Sequence, residues 1–213
     1  MSDILQALKK AVLDGEDEAA LSLVQAALRE GCQPVTLVSE AIVPGIQEAG
    51  ERWKANRYFQ SDVIMSAEAF RVAMGVVEPL LTSPGAGTAR KVAIGTVAGD
   101  MHNLGKTIVI AMLRGAGFRV TDLGEDVSVP AFLDAVKNLE PDILGLGCYM
   151  TTTMLGMTEV MRGLKDRGLR GRVKVMIGGV PTSQEFADEI GADGWGRDAL
   201  DAVDKAMKLT GRA

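Results

Sequence analysis

The stretch Gly99 to Thr107, GDMHNLGKT, holds the single histidine of the chain and an aspartate two residues before it. It comes close to the phosphate-binding pattern G-x-x-x-x-G-K-[ST], but Asp100 stands where that pattern has its first glycine. A carboxylate at this position would repel an anion and place a side chain where phosphate needs bare backbone. A carboxylate bonded to one imidazole nitrogen instead makes the other nitrogen of His102 a better metal ligand. The spacing therefore favours metal chemistry over phosphate binding.

Small residues at two later positions could also contact a ligand. Gly178-Gly179 follows the apolar run VKVMI and would allow close approach to the backbone, although a tight turn requires glycine equally well. Thr151-Thr152-Thr153 follows another apolar run, and the alternative there is an ordinary helix cap. The chain has no G-x-S-x-G nucleophile elbow, and G-x-G-x-x-G is absent after the first apolar run, which argues against a hydrolase and a dinucleotide site.

The second half of the chain has the pattern of an α/β domain. Short β-rich runs alternate with helix-length segments, which predicts a Rossmann-like sheet of five parallel strands with helices on both faces. The runs are KVAIGTV, FRVTDLG, DILGLGCY, VKVMIGG and a short one at 193–196, and the helices are predicted near 104–116, 129–139, 153–167, 182–190 and 199–209. Ligands bind such sheets beyond the carboxyl ends of the strands. The candidate residues around 100, 151 and 178 all fall on that edge.

The first half has a helical period instead. Apolar residues recur at helical spacing from residue 3 to about 82, which predicts a compact bundle of four or five helices. Pro44-Gly45 predicts a kink or break in the third helix. SPGAGTAR, residues 83–90, has the composition of a linker. We therefore expect a helical domain at 1–82, a linker at 83–90 and an α/β domain at 91–213.

Composition limits the possible functions further. The net charge of −5 argues against unspecific nucleic-acid binding, and no apolar run is long enough to span a membrane. The segment MSDILQALKK lacks the apolar core of a signal peptide, so we expect a cytoplasmic protein. Cys32 and Cys148 are isolated and are expected to be small buried apolar residues rather than a disulfide.

Three motifs together carry a resemblance to a known family. They are GTVAGDMHNLGK at 95–106, LGLGCYMTTTM at 144–154 and IGGVPTS at 177–183. In this order and spacing the chain resembles the small corrinoid proteins of methyltransferase systems, which are related to the cobalamin-binding module of methionine synthase. In these proteins a helical cap domain precedes the corrinoid-binding α/β domain. The resemblance covers nearly the whole chain.

The resemblance implies a role for each matching residue of the α/β domain. His102 would be the lower axial ligand of cobalt, with Asp100 hydrogen-bonded to its far nitrogen and Thr153 in the relay position beyond. Gly147 stands where the family commonly has a serine that bonds the displaced base. The positions expected to contact the nucleotide tail are Gly105, Gly147, Thr151, Gly178 and Gly179.

The resemblance also implies cap residues in the helical half. Trp53 stands where these proteins carry an aromatic cap residue, and Val63 falls on the helix that lines the same face. Gln60-Ser61 replaces the usual Leu-Pro of the cap, so we hypothesise that Gln60 places a polar group above cobalt. For Trp53 the alternative is ordinary packing in the bundle core.

The implied function is that of a methyl carrier. The corrinoid would take a methyl group from the substrate of a specific methyltransferase, and a second, methylcorrinoid:acceptor methyltransferase would pass it to tetrahydrofolate or a thiol. A reductive activase is a further expected partner, and the chain is not expected to be catalytic alone. The alternative is a cobalamin-dependent sensor, which usually carries an output element such as a basic DNA-reading helix, whereas residues 1–30 form an acidic-leaning helical pair. A corrinoid subunit of a carbon-skeleton mutase would not need the helical half.

Overall fold

The structure of the chain is a computed structural model that describes residues 2–81 and 90–211. The side chains of Ser2, Lys54 and Gln60 also lie outside the described part. The chain divides into two compact units at Ser83. Of the expected linker, only Arg90 falls within the described residues. No helix in the described ranges combines the length and the apolar character needed to cross a bilayer.

The first unit is helical, as the apolar period predicts. Its helices are α1 (Ser2–Asp14), α2 (Asp17–Arg29), α3 (Pro34–Leu37), a π-helical segment (Val38–Ile42), α4 (Val43–Lys54), α5 (Gln60–Val77) and a 3-10 turn (Glu78–Leu81). Leu8 and Val12 of α1, Val24 of α2 and Phe70 of α5 are almost fully buried. These residues share the apolar side of their helices, so burial of that side holds the unit together.

Of the predicted kink or break at Pro44-Gly45, the break was wrong. Helices α3 and α4 follow one another through the π-helical segment, in which the N–H of Val43 bonds to the carbonyl of Val38. Pro44 comes two residues after this segment, which is the kind of irregularity that accompanies a proline inside a helix. A Cβ on Gly45 would lie 2.7 Å from the carbonyl oxygen of Lys9. Gly45 therefore serves close packing of α4 on α1 rather than a break.

The second unit is a parallel sheet covered on both faces, which confirms the predicted fold class. The strands are β1 (Lys91–Thr96), β2 (Arg119–Asp122), β3 (Ile143–Gly147), β4 (Lys174–Gly178) and β5 (Gly194–Gly196), in the spatial order β2-β1-β3-β4-β5. The helices are α6 (Leu104–Gly115), α7 (Val129–Leu139), α8 (Leu155–Asp166), α9 (Gln184–Ile190) and α10 (Ala199–Leu209). Side chains of α7, α8 and α9 form one core cluster, and those of α6 and α10 form the other.

The strand order creates the crevice that positions the site. The chain leaves β1 toward β2 on one side, while β3 pairs with β1 on the other side. Loops that leave the carboxyl ends of β1 and β3 diverge at this point, which is the usual ligand site of such sheets. Thr96 pairs with Gly147, and Gly147 pairs with Gly178, so three strands end side by side.

A partly buried carboxylate ties β4 to the segment that leads into β5. Asp193 accepts from Arg170 at 2.7 Å, from Lys174 at 3.1 Å and from the N–H of Val175 at 2.8 Å. Burial opposes ionisation of this carboxyl, but the three donors outweigh it and lower its pKa below the ordinary value.

We predict that Asp193→Asn lowers the free energy of unfolding by about 1–3 kcal/mol at neutral pH, because Arg170 and Lys174 lose a charged acceptor and one of its two oxygens is replaced by an NH₂ group. Since the folded-state pKa is lowered, the stabilisation is present above the unfolded-state pKa and disappears as the pH falls through the folded-state value. The difference between wild type and variant should therefore shrink below about pH 4. Urea unfolding across this pH range measures it. Asp134→Asn, which removes an exposed pair with Arg167, is the control and should cost less than about 1 kcal/mol. Equal losses in both variants would contradict the argument.

Candidate functional site

The candidate histidine lies in the loop between β1 and α6. Thr96, the last residue of β1, donates its hydroxyl to the carbonyl of His102 at 3.0 Å. Gly99 has a φ of +81°, and its N–H donates to the Asp126 carboxylate at 2.7 Å. The loop is thus held both by the strand that precedes it and by the segment after β2.

Asp100 is fully buried and receives hydrogen bonds from two loops. Its Oδ1 accepts from the backbone and the ring of His102, at 3.1 and 2.7 Å. Its Oδ2 accepts from the N–H groups of Tyr149 and Met150, at 2.7 and 3.2 Å, and from the Thr153 hydroxyl at 3.1 Å. Burial opposes ionisation, but these donors outweigh it and lower the pKa of Asp100. A buried anion therefore joins the loop after β1 to the loop after β3.

The hydrogen bond to Asp100 decides what His102 can do. An ionised carboxylate only accepts, so in the neutral imidazole the proton lies on Nδ1 and the lone pair on Nε2. The side chain of His102 is 59% exposed, which leaves Nε2 open to a ligand. A single imidazole with a fixed tautomer supplies one coordination bond. This suits a metal whose remaining ligands belong to a bound molecule rather than to protein side chains.

Thr153 and Cys148 extend this network. Thr153 lies in the 3-10 turn Thr151–Thr153, and its hydroxyl is 3.0 Å from the carbonyl of Met150. The Cys148 Sγ is 3.2 Å from the Thr153 hydroxyl and 3.1 Å from the Met150 carbonyl. Cys148 is buried, as expected, and burial raises the pKa of its thiol. It is nevertheless a hydrogen-bonding member of the site, which its isolated position in the sequence does not indicate.

The predicted glycines lie where backbones approach closely. Gly147 and Gly178 end neighbouring strands and pair with each other. Gly179 has a φ of +119°, and a Cβ there would lie 1.8 Å from the Cys148 carbonyl oxygen. Thr151 is exposed at the start of its 3-10 turn. The structure thus places the β3 and β4 glycines and Thr151 on the edge that carries His102.

Sequence reasoning missed Tyr149. Its ring lies beside Gly105, where a Cβ would be 2.6 Å from Oη, and its centroid is 5.8 Å from that of the His102 ring. The available signal was its position as the only aromatic residue in LGLGCYMTTTM.

The expected cap residues belong to the helical unit. Trp53, near the end of α4, is 54% exposed, and Val63 in α5 is partly buried. The exposure of Trp53 contradicts its alternative interpretation as a core residue. Gln60 opens α5, and its side chain lies outside the described part. Phe59, Ile64 and Met65 are further exposed apolar residues of the same region.

We predict that Gly179→Ala lowers the free energy of unfolding by at least about 2 kcal/mol, because an added Cβ meets the backbone and the φ value disfavours alanine. Chemical denaturation measures it. Gly168→Ala is the matched control, since Gly168 has a φ of +66° but nothing within 4 Å of an added Cβ. Its cost should be about 1 kcal/mol. A Gly179 variant as stable as the Gly168 variant would show that the backbone contact is unimportant.

Comparison with known proteins agrees across both units. A family model described as a B12 binding domain matches residues 90–204, and a second B12 binding domain model matches residues 4–78. A corrinoid protein of Desulfitobacterium hafniense is 41% identical over 98% of this chain and 98% of its own length. The monomethylamine corrinoid protein of Methanosarcina barkeri superposes with a TM-score of 0.84 at 28% identity, over 98% of this chain and 99% of that one. A chain of the methanol:cobalamin methyltransferase complex of Methanosarcina barkeri gives 0.54 at 29% identity, over 98% of this chain and 80% of that one. The chain therefore belongs to the family of B12-binding corrinoid proteins.

Proposed function

We propose that this chain carries a methyl group on a corrinoid between two methyltransferases. The observation that supports it is the exposed His102 imidazole, held by a buried, ionised Asp100 at the carboxyl edge of the sheet. When bound, the corrinoid supplies cobalt, which accepts and releases the methyl group. The chain's own residues hold the cofactor, set the basicity of its ligand and shield it.

The residues present fit such a group. His102 offers one nitrogen, which suits a metal whose equatorial ligands belong to a macrocycle. Gly105 and Gly147 add no side chain to this edge, and the Tyr149 ring lies beside both of them. Gly178, Gly179 and Thr151 continue the same edge. We assign these five small residues to the nucleotide tail, and Nε2 of His102 would hold the cobalt.

Asp100 and Thr153 would control how strongly His102 binds. The carboxylate accepts the Nδ1 proton and so raises the electron density on Nε2. The Thr153 hydroxyl donates to the second oxygen of the carboxylate, which draws charge away from the histidine. Asp100 and Thr153 would thus hold the proton at Nδ1 of His102. This proton would shift along its hydrogen bond when the bond at Nε2 strengthens or weakens.

The helical unit would act as the cap. Its exposed apolar side chains Trp53, Phe59, Ile64 and Met65 are the kind of surface that excludes water from a reactive centre. We assign Trp53 and Val63 to the face of the corrinoid that the helical unit would cover.

The partners and location follow from this role. The methanol:cobalamin methyltransferase complex among the similar structures supports a substrate-specific methyltransferase as one partner. A methylcorrinoid:acceptor methyltransferase that serves tetrahydrofolate or a thiol would be the second, and a reductive activase would restore oxidised cofactor. Two free, buried cysteines are consistent with a cytoplasmic location, which we propose for this chain.

The central test is the visible spectrum of the purified protein after reconstitution with hydroxocobalamin and desalting. We predict one corrinoid per chain, with a spectrum that shows nitrogen coordination to cobalt in wild type and loses it in His102→Ala. Asn103→Ala is the control, since this neighbour is exposed and its side chain does not cap α6. Wild-type protein that stays colourless would refute the proposed function. An unchanged spectrum in His102→Ala would refute the ligand assignment.

We predict that Asp100→Ala weakens histidine coordination by about 10–100-fold, because the imidazole loses the group that orients and polarises it. Thr153→Ala should weaken it less, since Asp100 keeps its other donors. Spectral titration with hydroxocobalamin gives both values. Thr152→Ala, at an exposed position of the same turn, serves as the control for Thr153. Equal effects of the two threonine variants would remove Thr153 from the relay.

A further inference from the structure

The ring of Tyr149 fills the space between two of the glycines assigned to the cofactor. A Cβ on Gly105 would lie 2.6 Å from Tyr149 Oη and 2.7 Å from Cε1, on one edge of the ring. A Cβ on Gly147 would lie 3.6 Å from Cε2, on the opposite edge. The two glycines therefore lie beside opposite edges of one aromatic ring, which leaves no room for a Cβ at Gly105 and ordinary contact distance for one at Gly147.

The hydroxyl of Tyr149 faces the backbone N–H of Lys106, in the first turn of α6. The N-cap residue Asn103 makes no side-chain bond to this turn. The ring thus lies against the start of α6. Burial raises the pKa of the phenol, which stays neutral.

The main chain of Tyr149 is held in place, so a movement of this residue would be a movement of its side chain. Its backbone N–H donates to Asp100 at 2.7 Å, so moving the main chain would break the network that orients His102. A change of rotamer at Tyr149 leaves that bond intact. With the ring in place the His102 side chain is still 59% exposed, so the ring closes the space beside Gly105 without covering the histidine.

We propose that Tyr149 is a specificity-determining residue that closes the tail slot and must swing out when the nucleotide tail of a corrinoid enters. This inference rests on the proposed function, because it takes the space between Gly105 and Gly147 as the tail slot. Entry of a tail then requires loss of the ring's packing beside Gly105 and Gly147. A corrinoid without a tail needs no such loss. The chain would therefore discriminate between corrinoids that have a nucleotide tail and corrinoids that lack one.

The test compares hydroxocobalamin with aquocobinamide, which lacks the nucleotide tail. Association rate constants are measured by stopped-flow absorbance on the cofactor-free full chain. Tyr149→Phe keeps the ring and removes only the Oη that lies closest to Gly105, and should bind hydroxocobalamin no more than about fivefold faster than wild type. Tyr149→Ala also removes the packing and should bind it more than about tenfold faster. The rates for aquocobinamide should stay within about twofold of wild type, which is the scatter expected for changes that do not couple to binding.

Tyr58→Phe is the matched control, because Tyr58 is the other tyrosine and lies in the helical unit with its hydroxyl on Arg52. It should leave both rates unchanged. Slower binding of hydroxocobalamin by Tyr149→Ala would overturn the proposal, since the ring would then be a contact for the bound tail. Equal acceleration with both corrinoids would overturn it as well. Failure of wild type to bind either corrinoid would instead refute the proposed function.

A second measurement needs no cofactor. Gly105→Ala should destabilise the chain in the wild-type background, because the new methyl group meets the Tyr149 hydroxyl. The same substitution in a Tyr149→Ala background should cost less than half as much, measured by chemical denaturation as a double-mutant cycle. Additive losses would show that the ring does not occupy the space beside Gly105. This outcome would overturn the proposal whatever the corrinoid rates show.

Discussion

The site depends on one buried charge. A carboxylate without partners inside a protein would take up a proton or move to the surface, because water solvates it far better than apolar side chains do. Asp100 remains charged inside the fold because donors from two loops converge on it. The same bonds that stabilise the anion determine where these loops lie. The carboxylate that orients His102 therefore also holds the loop after β3 in place. Both loops reach Asp100 because β1 and β3 are paired in parallel.

The small residues around this anion have a common physical reason. Three neighbouring strands end at Thr96, Gly147 and Gly178, and the chain after β4 passes so close to Cys148 that Gly179 has no room for a side chain. The close approach of main chains at these strand ends therefore explains Gly178 and Gly179.

The sequence was sufficient for the architecture and for part of the site. The alternation of β-rich runs with helix-length segments predicted all five strands, and the last helix was predicted at its observed bounds, Ala199 to Leu209. Such patterns reflect burial, because the buried side chains of a helix or a strand recur with the period of that element. The break at Pro44 was wrongly predicted, because a π-helical segment directly before α4 continues the helix past the proline. The contacts of Tyr149 and Cys148 were not predictable, because they join segments in a way that no local period encodes.

The hydrogens of Thr153 and Cys148 have more acceptors than they can use. Each group carries one hydrogen, yet the hydroxyl reaches Asp100 and the Met150 carbonyl, and the thiol reaches that carbonyl and the hydroxyl oxygen. Two proton arrangements thus share one set of heavy-atom positions. A change in the charge borne by Asp100 can be answered by rotation of an O–H bond, with no loop displaced. The network is electrically adjustable while its framework stays rigid, so two functional states of this site can have superimposable backbones.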